Sequence, residues 1–401
     1  MENISSFGDG GLLPQEEKLE LKNKEKNLFI GIPKETYLQE GRISLVPEAV
    51  NLLVSHGHEV YVETGAGDKA NFSDNDYSEA GAKIVYSAEE AYTADIILKV
   101  VPPSLDELKL MKGRQTLISA IQITTRSKAY FQELMNKKIN ALAFEFIQDE
   151  CGLMPLMRSM SEIAGNTSIL IASECLSNVN GGKGLMLGGI AGVTPTEIVV
   201  IGAGTVGEFA ARSAMGLGAS VKIFDNSLSK LRRIQSDLNT RVYTSIIQPK
   251  VLAKALRRAD VVIGALRSNE KRTPCVVSEN MVENMKEGAV IIDVSIDQGG
   301  CVETSEITSH AKPTFIKHGV VHYGVPNIPT RVARTASYAL SNLLTPTLLK
   351  LGEEGGIEPL IVRDCGVRQG VYVFHGMLTN KMVGQWFDIN YKEIDLLIAS
   401  I

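Results

Sequence analysis

Several things are scarce in this chain, and each scarcity removes a class of function. Five cysteines in 401 residues (Cys151, Cys175, Cys275, Cys301 and Cys365) are too few and too scattered for a disulfide framework, and they lack metal-ligand spacing. Reduced, structural thiols are the expectation, with no metal. Charge of one sign is not in excess: 41 basic residues stand against 46 acidic ones, a net of -5. That excludes the basic footprint needed to bind nucleic acid or an anionic membrane. No apolar run approaches the ~20 residues that span a bilayer, and the first residues lack the basic-then-apolar layout of a secretory signal. The expectation is a soluble cytoplasmic protein. What the chain does have is length and apolar content, 44% hydrophobic over 401 residues, enough for two cores.

The most informative stretch is Ile198 to Asp225, IVVIGAGTVGEFAARSAMGLGASVKIFD. A β-branched run, Ile198 to Ile201, reads as a strand buried on both faces of a parallel sheet. Gly202, Gly204 and Gly207 follow in G-x-G-x-x-G spacing, then apolar positions at helical spacing, a stop at Gly218, and a second strand ending on Asp225. In such a unit the first glycine makes the turn, the second lets backbone N–H groups approach a pyrophosphate, and the third lets helix and strand pack closely. The helix N-terminus adds partial positive charge. A carboxylate at Asp225 accepts hydrogen bonds from ribose hydroxyls and repels a 2′-phosphate, so NAD is the expected cofactor rather than NADP.

The remaining pattern alternates apolar strands with amphipathic helices, beginning with LFIGI and continuing through EVYVET, DIILKV, TLISAI and INALAF. The fold class read from this is α/β, two doubly wound Rossmann-like domains with a cleft between them. Residues 1–26 are polar and form a flexible extension whose leucines Leu12, Leu13 and Leu19 are candidates to dock on a neighbouring subunit. The substrate domain comprises 27–155 and 332–401, and the NAD-binding domain 156–331. Two crossings of the chain then make a hinged cleft. Ser161 and Glu162 are read as a helix start. Arg42, in the loop after the first strand, is a candidate for gripping a small carboxylate with both edges of its fork. Asp297 sits at a strand's carboxyl end, where a residue meets nicotinamide or substrate.

Taken together, GIPKE (31–35), HGHEVYVETGAG (56–67), MSEIAG (160–165), GGKGLMLGG (181–189), VIGAGTVG, DVSIDQGG (293–300), KHGVVHYGVPNIP (317–329), RTAS (334–337) and HGMLTNKMV (375–383) resemble the alanine dehydrogenase family. Its relatives include the NAD-binding part of proton-translocating transhydrogenase. The resemblance implies a cytosolic homo-oligomer, commonly a hexamer, that interconverts L-alanine with pyruvate and ammonia. It places Arg42 at the substrate carboxylate and Asp297 near substrate and nicotinamide. Ser161, Thr205, Val206, Asp225, Lys230, Leu266, Val325 and Asn327 fall where the family contacts NAD or closes over it.

Two departures bear on the chemistry. A family strand end of the form K-V-K-E-P reads Lys99, Val100, Val101, Pro102, Pro103 here, so Val101 takes the place of a substrate lysine. The family's catalytic histidine, in an F-L-H-L context, corresponds to Gln122. Deamination requires proton removal from an amine and proton shuttling, which valine cannot perform and glutamine can assist only by hydrogen bonding. Lys99 is two residues from Val101 and on the same strand face. The loop Arg267 to Arg272 is more polar than the family segment over the cofactor. Two functions follow: an NAD-dependent alanine dehydrogenase, or a non-deaminating NAD(H)-binding homologue serving as a sensor, regulatory partner or transhydrogenase-like module.

Overall fold

The computed structural model describes residues 26–37, 39–268 and 272–399. The docking role expected of Leu12, Leu13 and Leu19 therefore lies outside the described residues, as does the middle of the polar loop, 269–271.

Among the described residues, fifteen strands form two sheets. The first contains β1 (Phe29–Ile32), β2 (Glu59–Glu63), β3 (Lys83–Val85), β4 (Ile96–Leu98), β5 (Thr116–Ser119) and β6 (Asn140–Ala143). The second contains β7 (Glu197–Ile201), β8 (Ser220–Phe224), β9 (Tyr243–Ser245), β10 (Val261–Gly264), β11 (Val290–Asp293), β12 (Thr314–Lys317) and β13 (Val320–Tyr323). The chain then returns to the first sheet with β14 (Val371–Phe374) and β15 (Met377–Leu378). Strand order is β15-β14-β6-β5-β4-β1-β2-β3 in the first sheet and β12-β13-β11-β10-β7-β8-β9 in the second. Pairing is parallel except where β14, β15 and β12 join antiparallel at or near the edges. This is the doubly wound α/β fold expected, with a hairpin, β14–β15, that the sequence pattern did not announce.

The β-branched runs explain why the centres of both sheets hold. Ile198, Val199, Val200 and Ile201 are all fully buried, with one face of β7 in a cluster with Ala210, Ala214 and Ile263 and the other against Leu252, Leu256 and Val262. Helices therefore cover both faces, as parallel sheets require. Each sheet has one point where successive crossovers diverge, between β1 and β4 in the first and between β7 and β10 in the second. Ligands in open α/β sheets bind in the crevice at the carboxyl ends of such strands.

Two long helices run between the sheets' layers: Pro155–Leu176 and Ala333–Glu353. The first corrects the expected helix start at Ser161. It begins at Pro155, where a missing N–H costs nothing, and Ser161 lies inside it with its hydroxyl donating to the Met157 carbonyl at 2.7 Å. Gly165 is where this helix meets the helix Thr205–Gly216: a β-carbon there would stand 2.5 Å from the Val206 carbonyl oxygen. All five cysteines are free of disulfides; Cys301 is buried, Cys175 is half-buried, and Cys151, Cys275 and Cys365 are exposed.

Candidate functional site

The glycine turn has the division of labour its spacing predicts. Gly202 has φ 118°, and a β-carbon on it would lie 2.3 Å from the Ala265 carbonyl oxygen, so the turn needs both the left-handed backbone and the missing side chain. A β-carbon on Gly207 would lie 1.9 Å from the Gly202 carbonyl oxygen. On Gly204 it would meet nothing within 4 Å. Space left open at the second glycine is the space a pyrophosphate needs. Gly204 also caps the helix Thr205–Gly216 without any side-chain hydrogen bond to the first-turn N–H groups of Thr205 and Val206, which leaves donors for an anion. These features fit a dinucleotide.

Asp225, just past β8, does more than its position foretold. Its carboxylate accepts the Ala203 N–H at 2.8 Å and the Ser227 N–H at 2.7 Å, so it staples the glycine turn to the second strand. A carboxylate has about four lone-pair directions, leaving acceptor capacity for ribose hydroxyls. Arg233 donates to the Ala203 carbonyl at 3.1 Å on the other side of the turn. Lys230 is exposed in the first turn of the helix Leu228–Asp237. Leu266, at the end of β10, lines the same turn through its backbone, which approaches Gly202.

In the first sheet, the loop after β1 carries a buried pair. Arg42 and Glu40 are 8% and 1% exposed, and they meet edge to edge: Arg42 Nε to Oε1 at 2.8 Å and an Nη to Oε2 at 2.7 Å. Glu40 Oε1 also accepts the Arg42 N–H at 2.9 Å. The fork edge expected to grip a substrate carboxylate is thus committed to Glu40. The other Nη is left with only the Met160 sulfur, a weak acceptor, at 3.5 Å. Burial alone would raise Glu40, but Arg42 outweighs it and holds the carboxyl below its usual range.

Asn327 ties this pair to the second sheet. Its side-chain amide donates to Glu40 Oε2 at 3.0 Å, and its backbone N–H donates to Asp297 Oδ1 at 2.9 Å. Asn327 has φ 57°, a left-handed conformation that asparagine tolerates and that turns the N–H toward Asp297. Asp297 remains open to solvent on one side while protein walls it on the others. The loss of solvation raises its carboxyl, against the lowering effects of the Asn327 N–H and the Arg42 charge. Arg42, Asn327 and Asp297, picked from three distant stretches, therefore converge through Glu40. Nothing in the spacing of Glu40 marked it; its signal was a carboxylate two residues before an arginine in an otherwise short loop. Val325 is buried beneath this bend, and Thr330 adds a hydrogen bond to the Gly41 N–H at 2.8 Å.

Lys99 is paired with nearby acids. It is 1% exposed and lies between Glu107, at 3.0 Å, and Glu35, at 3.3 Å. Val101 is 4% exposed and Gln122, half-buried, has φ 43°. The histidines near the last strand are also committed: His322 is buried with Nε2 against the Thr304 hydroxyl at 2.7 Å, and His318 pairs with Glu279 at the surface. Among the described residues there is no cluster of histidine, cysteine, aspartate and glutamate that could hold a metal.

Two Rossmann-like sheets, a fitted glycine turn on one and an arginine–carboxylate pair on the other tied across by Asn327, define a two-domain dinucleotide-binding protein. The chain belongs to the alanine dehydrogenase family. The family model described as "Alanine dehydrogenase/PNT, N-terminal domain" matches residues 31–164, and "Alanine dehydrogenase/PNT, C-terminal domain" matches residues 168–381. The alanine dehydrogenase of Staphylococcus epidermidis is 40% identical over 367 residues, covering 91% of this chain and 98% of that protein. That of Methanococcus maripaludis is 38% identical over 370 residues, covering 92% and 99%. A solved L-alanine dehydrogenase structure superposes with TM-score 0.84 at 39% identity, covering 90% of this chain and 99% of that one. A transhydrogenase structure from Sinorhizobium meliloti, TM-score 0.75 at 24% identity over 88% of this chain and 99% of its own, shares the fold.

Proposed function

We propose that the chain is an NAD-dependent alanine dehydrogenase, converting L-alanine, NAD and water to pyruvate, ammonia and NADH by hydride transfer. The observation that carries this is the hydrogen-bonded chain Arg42–Glu40–Asn327–Asp297, which joins the loop after β1 of the first sheet to Asn327 and Asp297 of the second. NAD, when bound, supplies the hydride acceptor. Gly202, Gly204, Thr205, Val206 and Gly207 hold its pyrophosphate, Asp225 and Lys230 lie at the ribose side, and Ser161, Leu266, Val325 and Asn327 line its course toward the cleft. Arg42 offers its uncommitted Nη to the substrate carboxylate, with Glu40 fixing the guanidinium plane. Asp297, at the opposite wall, orients substrate or water.

The boundaries 27–155 with 332–401 for the substrate domain, and 156–331 for the NAD domain, are part of this reading. They are supported by the sheet to which each strand belongs. The same reading places the protein in the cytoplasm as a homo-oligomer, a hexamer by family resemblance. A second reading, NAD(H) binding without deamination, is favoured by one observation: Lys99 is locked between two carboxylates and Val101 is buried, so no lysine stands at the pocket where the resemblance calls for one. The two readings separate on one assay. Alanine-dependent NADH formation supports the first; NADH binding without turnover on a panel of amino and keto acids supports the second.

A further inference from the structure

Glu145 is a carboxylate that the arrangement above does not use. It lies in the single turn Phe144–Phe146 that follows β6. There β6 runs parallel beside β5, with Ala143 level with Ser119. Both strands end at the carboxyl edge that they share with β1, whose following loop carries Arg42, and the turn after β5 carries Gln122. Glu145 Oε1 accepts the Ile121 N–H at 2.9 Å, and the Gln122 N–H acts on the same carboxyl. Its second oxygen, Oε2, is buried without a hydrogen-bond partner among the described residues.

The groups that face this carboxyl come from three other elements. Tyr130 stands on the helix Lys128–Asn136, Tyr372 on β14, and Arg267 on the loop after β10 of the other sheet. The tyrosine hydroxyls are 3.4 Å apart, and burial pushes both upward, Tyr130 to about 12, so they stay neutral in the physiological range. Arg267 is exposed and acts across the cleft. An unpaired buried carboxylate oxygen is costly because nothing replaces the water it lost. Burial accordingly pushes Glu145 up to about 7, against three backbone N–H groups and Arg267. A group that takes up and releases a proton near neutrality is what amine chemistry requires, and neither Val101 nor the Gln122 amide is such a group.

We propose that, given the function proposed above, Glu145 is the proton carrier of the substrate pocket, standing in at the Gln122 turn for an imidazole. In the oxidative direction an N–H bond of the substrate ammonium breaks and an O–H bond forms at Oε2. The nitrogen keeps the electron pair and stands as the free amine that oxidation requires. In the reductive direction Oε2–H returns the proton to nitrogen.

The test compares the full-length wild type with Glu145→Gln and Glu145→Asp. NADH binding by fluorescence controls for folding. Alanine-dependent rates from about pH 5 to 9 report the working group, and the infrared band of a protonated carboxyl reports its titration. NADH binding is expected to stay within about twofold in all three. The wild type shows a limb in kcat/KM near pH 7 and a carboxyl band that disappears over the same range. Glu145→Gln lacks both and loses about 10²-fold or more in kcat, while Glu145→Asp recovers part of the rate. Turnover in Glu145→Gln with an unchanged limb, or a wild-type band titrating in the ordinary carboxylate range, overturns the assignment of Glu145 alone. A wild type that binds NADH and turns over no amino acid overturns the proposed function, and the role of Glu145 in deamination falls with it.

Discussion

Glu40 occupies one whole edge of the Arg42 guanidinium, and the two charges are buried against each other. Removing one member of a buried pair leaves the other charge unsolvated, a cost of about 3–5 kcal/mol. Glu40→Ala is therefore expected to lower thermal stability sharply and to raise KM for pyruvate, as read by calorimetry and initial rates. Since the folded Glu40 carboxyl lies below its ordinary value, the stability it contributes is present above the unfolded value of about 4.5 and is lost as pH falls through the folded one. Glu145 has the opposite sign. Its carboxyl is raised to about 7, so its favourable contribution is full below about 4.5 and fades as pH rises toward 7. Glu145→Gln should consequently gain stability over the wild type, by about 1–3 kcal/mol, at pH 8 and not at pH 4.5. At the positions where the family resemblance calls for lysine and histidine, the paired replacement Val101→Lys with Gln122→His is expected to raise alanine turnover by about 10² or more. Unchanged turnover would mean that those two positions do not limit the reaction.

At the level of elements, the three glycines of the turn make different demands and so predict different failures. Gly207→Ala drives a β-carbon into the Gly202 carbonyl at 1.9 Å, and overpacking of this kind typically costs about 1–3 kcal/mol or more. Gly204→Ala meets open space and should fold normally, yet fill the pyrophosphate's room. Thermal melts set beside NADH titrations separate the two: Gly207→Ala loses stability, whereas Gly204→Ala keeps its melting temperature and weakens NADH binding by about tenfold or more. This turn, with its flanking β7 and β8, was legible because strand, glycine spacing and helix are local patterns, and local patterns survive in one dimension. Ser161 was misplaced because a serine followed by glutamate looks like a cap, while Pro155, six residues earlier, already starts the helix and packing carries it onward. β14, and with it the β15 that pairs only with β14, went unseen because the partner of β14, β6, is more than 200 residues away in sequence. Glu40 and Glu145 were missed for a related reason: what distinguishes them is burial and an unmet or contested oxygen, which appear only once the sheets are assembled.

For the molecule as a whole, the first sheet carries the loop of Arg42 and the second the glycine turn, and the helices Pro155–Leu176 and Ala333–Glu353 connect the two sheets along the chain. Two connections allow the sheets to approach without sliding apart. Asn327 is the contact to watch, since it bonds one sheet's loop through Glu40 and the other's through Asp297. Asn327→Ala should leave each sheet folded and weaken their coupling, seen as a raised KM for pyruvate with NADH affinity changed less. The resemblance was strong enough to name the family from scattered motifs, whereas the chemistry at Val101, Gln122 and Glu145 depends on groups that no motif brings together. The most direct measurement is the initial rate of NADH formation by the purified full-length protein with L-alanine and NAD at alkaline pH and high enzyme concentration. An alanine dehydrogenase gives saturable, alanine-dependent NADH formation that Asp297→Asn reduces by about 10²-fold. Tight NADH binding with no alanine-dependent rate, in protein that is folded, would contradict that assignment.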